Sequence, residues 1–214
     1  MVMTLVGQYD SPYTRRVAVS LGLLGFDFEH DTRSVFADFE SMRATNPLGR
    51  IPSLVLSDGT TLIDSAAILD WLDQQVGPER ALLAASGPAR REMLQRIALA
   101  TGTIDKVMGI GYERLIRPER YRWSDWIARC HTQAEGGLSA LAAQSCAADV
   151  HPDQHRISQD WITVACMMRY VRLADPDLLP PGRYPTLDAV SDRCEALPTF
   201  KATWPADYVV PGSG

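Results

Sequence analysis

An α/β domain followed by an all-α domain is predicted for this 214-residue chain by two observations: a change in hydrophobic period, and the places where glycine and proline interrupt it. Up to about residue 77, short apolar runs of strand length alternate with helical repeats. From about Pro88 to Leu197 only the helical repeat remains. The segment between them, VGPERALLAASGP, has the Pro, Gly and Ser of a connection, so the domains are placed at 1–77 and 88–214 with a linker at 78–87.

The first domain opens with MTLVGQY, an apolar strand. Ser11 and Pro12 then start a helix, PYTRRVAVSLGLLG: serine accepts from orphan N–H groups, and proline gives up only an N–H that has no helical partner there. Val17, Leu21 and Leu24 recur at helical spacing, and Gly25 follows as a left-handed stop. FDFEHD alternates at period two, and SVFADFESMRA is a weak helix broken at Asn46-Pro47. PSLVL and TTLI form a hairpin about SDG, where Gly59 supplies the positive backbone angle. In SAAILDWLDQQV, Ile68, Leu69 and Leu72 make one apolar stripe. The second domain reads as four helices: ARREMLQRIALATGTIDKVMGIGYERLI up to Pro118, SDWIARCHTQAEGGLSALAAQ, SQDWITVACMMRYVRL and TLDAVSDRCEAL. Gly102, Gly109 and Gly111 are expected to loosen or bend the first of them, at about 1 kcal/mol each relative to alanine.

A formal net charge of −5 with acids and bases intermixed, and no basic run, excludes a nucleic-acid or anionic-membrane partner. No apolar run reaches the roughly 20 residues of a membrane span, and the amino terminus lacks the order of a signal peptide, so a cytoplasmic location is expected. Cys130, Cys146, Cys166 and Cys194 are widely spaced in helical sequence, which fits buried structural thiols. His151 and His155 lie four apart, but Pro152 between them and the lack of a third ligand favour a solvated connection over a metal site. No metal is expected.

Three places in the first domain carry chemistry. At Asp10-Ser11 a strand ends on a hydroxyl directly before a helix, which is either an ordinary cap or a donor aimed at a ligand. In NPLGRIPSLVL, Pro52 begins an apolar strand and cannot donate to a ladder, so the backbone at Ile51 either edges the sheet or pairs with an extended peptide. At Asp64-Ser65 a second strand-to-helix junction offers a hydroxyl and free N–H groups to a carboxylate, and a carboxylate to an ammonium. Together they describe an extended peptide ligand with a charged end at Ser65, main chain at Ile51 and a reactive group at Ser11.

The order and spacing of SPYTRRV, NPLGRIPSLVLSDGTTLIDSAAILDWL and YPTLDAVSDRCEALPTFKATWP resemble the cytosolic glutathione transferases, of the bacterial type with serine at the thiol-facing position, over nearly the whole chain. The resemblance implies a thioredoxin-like first domain, an all-helical second domain, a homodimer and a cis bond before Pro52. It implies that Ile51 pairs its main chain with the cysteinyl part of glutathione. Asp64 and Ser65 then hold the γ-glutamyl end, and Arg50 is a candidate for the glycine carboxylate. Where related redox proteins carry Cys-Pro-Tyr-Cys, this chain has Ser11 and Thr14, which removes disulfide exchange. Ser11 is then the catalytic group, donating to the thiolate of bound glutathione; Tyr9 and Tyr13 are competing hydroxyls. Met108 and Tyr112, one turn apart, either face the electrophile cleft or fill the interhelical core.

The family's capping box is altered in ISQDWITVAC, where Trp161 stands three after Ser158 and Asp160 one position early. Ser158 is expected to cap alone, with Asp160 favouring the helix dipole. The function implied is a transferase that uses glutathione as co-substrate against a small electrophile. A glutathione-dependent isomerase, dehalogenase or peroxidase is one alternative, and a non-catalytic transferase-like binding protein is another.

Overall fold

The computed structural model describes residues 2–145 and 157–205. Its amino-terminal part is a mixed four-stranded sheet built around β1 (Met3–Val6). After β1 the chain crosses through α1 (Pro12–Leu24) to the parallel strand β2 (Phe28–Asp31). It then passes α2 (Phe39–Thr45) and returns on the other side of β1 as the antiparallel β3 (Ser53–Val55). A hairpin turn with Gly59 at φ +88° leads into β4 (Thr61–Ile63), giving the order β2-β1-β3-β4, and α3 (Ser65–Val76) follows. This is the thioredoxin-like arrangement that the resemblance implied.

All of α1 except Tyr13 and Gly22 is buried, because the helix is wedged between α3 and the helical region. It stops where Gly25, at φ +77°, turns its N–H back onto Gly22 and Leu21. The helix expected over SVFADFESMRA is shorter. Its first residues are a turn in which the Ser34 N–H donates to Asp38 (2.8 Å) while Phe36 and Ala37 donate to Ser34 Oγ. Short polar side chains that bond nearby backbone compete with helix in this way.

The carboxy-terminal part is helical: α4 (Gly87–Leu115), α5 (Ser124–Gln144), α6 (Gln159–Ala174), α7 (Pro185–Glu195) and α8 (Pro198–Ala202), with single 3-10 turns at Glu119–Tyr121 and Pro176–Leu178. Gly102, Gly109 and Gly111 leave α4 one continuous helix of 29 residues. It ends at Leu115 with Ile116 as its C-cap, just ahead of Pro118, which bars Arg117 from the helical region. Its close neighbour is α5, where a Cβ on Gly137 would collide with Thr103 Oγ1. At the centre lies α6, whose Trp161, Ile162, Val164, Met167 and Met168 are buried.

Ser158 does not cap α6 as expected. Its hydroxyl donates instead to Asp160 Oδ1 (2.5 Å), while Asp160 Oδ2 accepts from Arg96 Nε of α4 (2.6 Å). The early aspartate thus draws the serine away from the helix end and ties α6 to α4. The short α8 was not anticipated; five residues carry too little periodicity to be read, and burial of Phe200 holds it. Cys130, Cys166 and Cys194 are buried free thiols. Cys146 and the pair His151 and His155, with Pro152, lie outside the described residues.

Candidate functional site

Ser11 is the N-cap of α1, and its Oγ accepts from the Thr14 N–H (3.3 Å). As acceptor there, the hydroxyl keeps its own hydrogen, which has no acceptor among the described residues. The N–H of Ser11 donates to Asp10 Oδ1 (2.8 Å). Burial pushes the Asp10 carboxyl up, against the lowering effect of that bond. An anion arriving at this helix end therefore meets a free O–H donor and, beside it, a carboxylate that offsets part of the helix field. Thr14 is fully buried, and its Oγ1 has no partner among the described residues.

Ile51 stands next to this junction because of Gly7. At φ +130°, Gly7 has no room for a side chain: a Cβ would lie 2.7 Å from both Ile51 Cβ and Thr14 Oγ1. The end of β1, the first turn of α1 and the start of β3 therefore converge on one point. The Ile51–Pro52 peptide bond is cis. The approach to it is built by Asn46, which is 2% exposed; its Nδ2 donates to the Arg50 carbonyl (2.8 Å) and its Oδ1 accepts from Leu48 N–H (3.0 Å). Gly49, at φ +60°, sits under the Phe39 ring. Arg50 is exposed on the cleft.

Asp64 caps α3, accepting from Ala66 N–H (2.8 Å), and does so at φ +69°. A non-glycine residue in that region costs about 1–3 kcal/mol, a strain common at ligand-binding turns. Ser65 follows, buried, with Oγ accepting from Arg16 Nη2 (2.7 Å) and Nε (3.2 Å). A cleft of about 320 Å³ opens between the sheet region and the helical region, lined by Arg50, Ile51, Pro52, Asp64 and Ser65 from the former and by Thr101 and Asp105 from α4. Tyr13 and Arg16 of α1 form its floor. Ser11 is not among the residues that line this volume, although the adjacent Tyr13 is.

The competing tyrosines are otherwise engaged. The Tyr13 hydroxyl donates to Asp105 Oδ1 (2.5 Å), and burial together with that bond holds its phenol above its ordinary range. Tyr9 stacks flat on His30, with ring centroids 3.9 Å apart. Met108 and Tyr112 take different environments. Met108 packs half-buried against the hydrophobic core, whereas Tyr112 is half-exposed and meets the edge of Phe36 at 6.4 Å. Tyr170 of α6, a near electrostatic neighbour of Tyr112 and Asp10, has its phenol raised chiefly by burial.

Sequence reasoning passed over Arg16, Asn46, Asp105 and Phe36. Of these, Arg16 had a local signal, being with Arg15 one of two adjacent charges in a mostly apolar helix. Among the described residues no group of His, Cys, Asp and Glu could hold a metal, and no helix is long and apolar enough to cross a membrane.

A hydroxyl with no acceptor for its hydrogen among the described residues thus stands at a thioredoxin-like helix start, near a cis-proline turn and a cleft with cationic and anionic walls. Residues 5–80 match the family described as glutathione S-transferase, N-terminal domain. A protein of Pseudomonas aeruginosa named maleylacetoacetate isomerase is 34% identical over 225 residues, covering 96% of this chain and 97% of its own. Among solved structures, a glutathione S-transferase from Methylobacterium radiotolerans in complex with glutathione sulfonate has a TM-score of 0.87 at 28% identity, over 98% of each chain. A glutathione transferase family member from Pseudomonas fluorescens Pf-5 with bound glutathione has a TM-score of 0.80 at 32% identity, over 95% of this chain and 99% of its own. The chain belongs to the glutathione S-transferase family.

Proposed function

We propose that the protein is a serine-type glutathione transferase that binds glutathione along the Ser11, Ile51 and Ser65 line and turns its thiol on a small electrophile. The observation that carries the reading is the uncommitted hydrogen of Ser11 Oγ at the start of α1. A thiol of pKa near 8.5 must be stabilised as thiolate by about 2.7 kcal/mol to ionise two units lower. A hydrogen bond to a charged group supplies about 1.5–3 kcal/mol. The Ser11 hydroxyl therefore carries most of the task, and the helix terminus, partly offset by Asp10, a smaller share. Glutathione's sulfur releases its proton to water, forms a bond to the electrophilic carbon, and the leaving group departs with its electron pair. Ser11 donates throughout and forms no bond to carbon.

The remaining roles follow the same line. Ile51 pairs with the cysteinyl main chain, Asp64 and Ser65 hold the γ-glutamyl end, and Arg50 meets the glycine carboxylate. Tyr112 and Phe36, with Met108 behind them, face the electrophile. The reading includes a homodimer, which sedimentation equilibrium checks, and action in the cytoplasm, where glutathione and buried free thiols such as Cys166 stay reduced.

The test is calorimetric titration with glutathione, followed by the pH dependence of conjugation for Ser11→Ala. Binding in the millimolar range or tighter, with the variant's apparent thiol pKa raised by about 1–2 units, is expected. An unchanged profile removes Ser11 from the reaction, and no binding favours a non-catalytic binding protein. A second reading, cis–trans isomerisation by the same thiolate, is favoured by the isomerase from Pseudomonas aeruginosa. A panel of aryl halides, peroxides and cis-enones assayed with glutathione separates the chemistries.

A further inference from the structure

The turn that carries Ser11 is gripped at two points by one histidine. In the parallel pairing of β1 with β2, His30 stands level with Leu5, and its ring reaches past the end of β1 to Gly7, where Nε2 lies 2.7 Å from the carbonyl oxygen. A carbonyl only accepts, so this bond places a hydrogen on Nε2. The same ring lies flat against Tyr9, with centroids 3.9 Å apart and planes 7° from parallel. The Asp31 carbonyl accepts the Gly7 N–H (2.8 Å), so adjacent residues of β2 hold both polar groups of Gly7. Gly7 is also the residue at φ +130° with no room for a side chain, which fixes the direction in which the chain leaves β1.

Beyond Gly7 the turn closes on itself. The Ser11 N–H donates to the Gln8 carbonyl (3.2 Å) and to Asp10 Oδ1 (2.8 Å), and the α1 cap follows at once. A turn with such internal bonds moves as one piece, so its anchor decides where Ser11 Oγ stands. Packing of the sheet does not call for an imidazole at this position, because β2 is an edge strand and His30 is only half-buried. The neutral ring and the imidazolium both present an Nε2–H, so the tether does not depend on a charge.

We propose that His30 is the positioning residue for Ser11: by holding Gly7 and Tyr9 it sets the turn so that the Ser11 hydroxyl directs its hydrogen at the sulfur of bound glutathione. This rests on the glutathione reading above and places no contact between His30 and the substrate. A misplacement of about 1 Å that begins away from the chemistry costs up to about 100-fold in rate, so a second, remote grip on the donor has a function.

The experiment is a double-mutant cycle on the full chain, read as the apparent pKa of the bound glutathione thiol by thiolate absorbance. His30→Phe keeps a flat ring for Tyr9 and loses the N–H; His30→Leu is made alongside, so that a fold lost through one side chain leaves the other to read. With Ser11 in place, each is expected to raise the thiol pKa by about 0.5–1 unit and lower conjugation at neutral pH about 3–10-fold. In the Ser11→Ala background the same changes should add no further shift. Affinity for S-methylglutathione, which has no thiolate, should stay unchanged, and His30→Gln, which retains an N–H donor, should recover at least half of the shift. No shift with Ser11 present, an equal shift in both backgrounds, no recovery by His30→Gln, or a matching loss of S-methylglutathione affinity would each overturn the proposal. If Ser11→Ala shifts the profile and the His30 variants do not, only the His30 assignment falls; if the wild-type protein binds no glutathione or Ser11→Ala changes nothing, the transferase reading falls with it.

Discussion

Tyr13 donates its phenolic hydrogen to Asp105 at 2.5 Å, joining the first turn of α1 to the middle of α4 across the seam between sheet and helices. The same hydroxyl lies 3.2 Å from the Thr101 carbonyl. A phenol whose single hydrogen is committed in this way has none left to donate to a ligand, which sets Tyr13 aside as a competing hydroxyl donor. It also sets one wall of the cleft that Asp64 and Ser65 face.

Tyr13→Phe should leave the pH profile of conjugation unshifted and cost about 1–2 kcal/mol in stability. The native environment favours the protonated phenol, so its contribution is present below the unfolded tyrosine pKa of about 10 and is lost as pH rises above it. Urea unfolding at rising alkaline pH checks this: the wild type should lose stability more steeply than Tyr13→Phe. Tyr170, raised in the same direction, keeps part of the slope in both.

Asp10→Asn tests the opposing charge at the thiol end. Its carboxylate takes the Ser11 N–H and stands beside the position proposed for the sulfur. A neutral amide can still accept that N–H while removing a like charge, so the apparent thiol pKa should fall by about 0.5–1 unit. Stopped-flow detection of thiolate absorbance against pH reads the shift directly. A rise instead would make Asp10 the proton acceptor.

The Arg15–Glu195 pair makes a prediction about stability alone. Arg15 is 1% exposed, with Nε on the Thr203 carbonyl and Nη2 shared with the Phe200 carbonyl, so it ties α1 to α8 and the residue after it. Removing one partner of a buried pair strands the other, at about 3–5 kcal/mol. Glu195→Ala should therefore cost more in urea unfolding than Arg15→Met, which takes away the inner charge and leaves Glu195 at the partly open side.

Neighbouring glycines in α5 should respond with opposite signs. A methyl group at Gly136 meets nothing within 4 Å, so Gly136→Ala should stabilise by up to about 1 kcal/mol through helix propensity. At Gly137 it meets Thr103, a β-branched residue whose hydroxyl is bonded to the Leu99 carbonyl (2.8 Å). Gly137→Ala should cost about 1–3 kcal/mol by overpacking. Thermal melts of the two variants provide the check.

The landmarks of the candidate site were legible because they are local. Ser11 before Pro12, Pro52 at the start of β3, and Asp64-Ser65 before α3 are strand and helix ends, where backbone N–H groups need particular side chains; such needs show in adjacent residues. The altered box at Ser158 was legible as a departure, but its consequence was not. Asp160 claims the serine hydroxyl because Arg96, 64 positions away, fixes its other oxygen.

By itself the sequence determined the alternation of elements, the two regions and the three junctions, since hydrophobic period and turn chemistry act over a few residues. Tertiary structure alone decided which groups meet. Arg16 reaches Ser65 across 49 positions, Tyr13 reaches Asp105 across 92, and Phe36 meets Tyr112. These contacts follow from where the helices pack, and no short stretch of chain encodes them. That no carboxylate pairs with Arg16 among the described residues belongs to the same category, because such a lack is recognised only once the surrounding elements are in place.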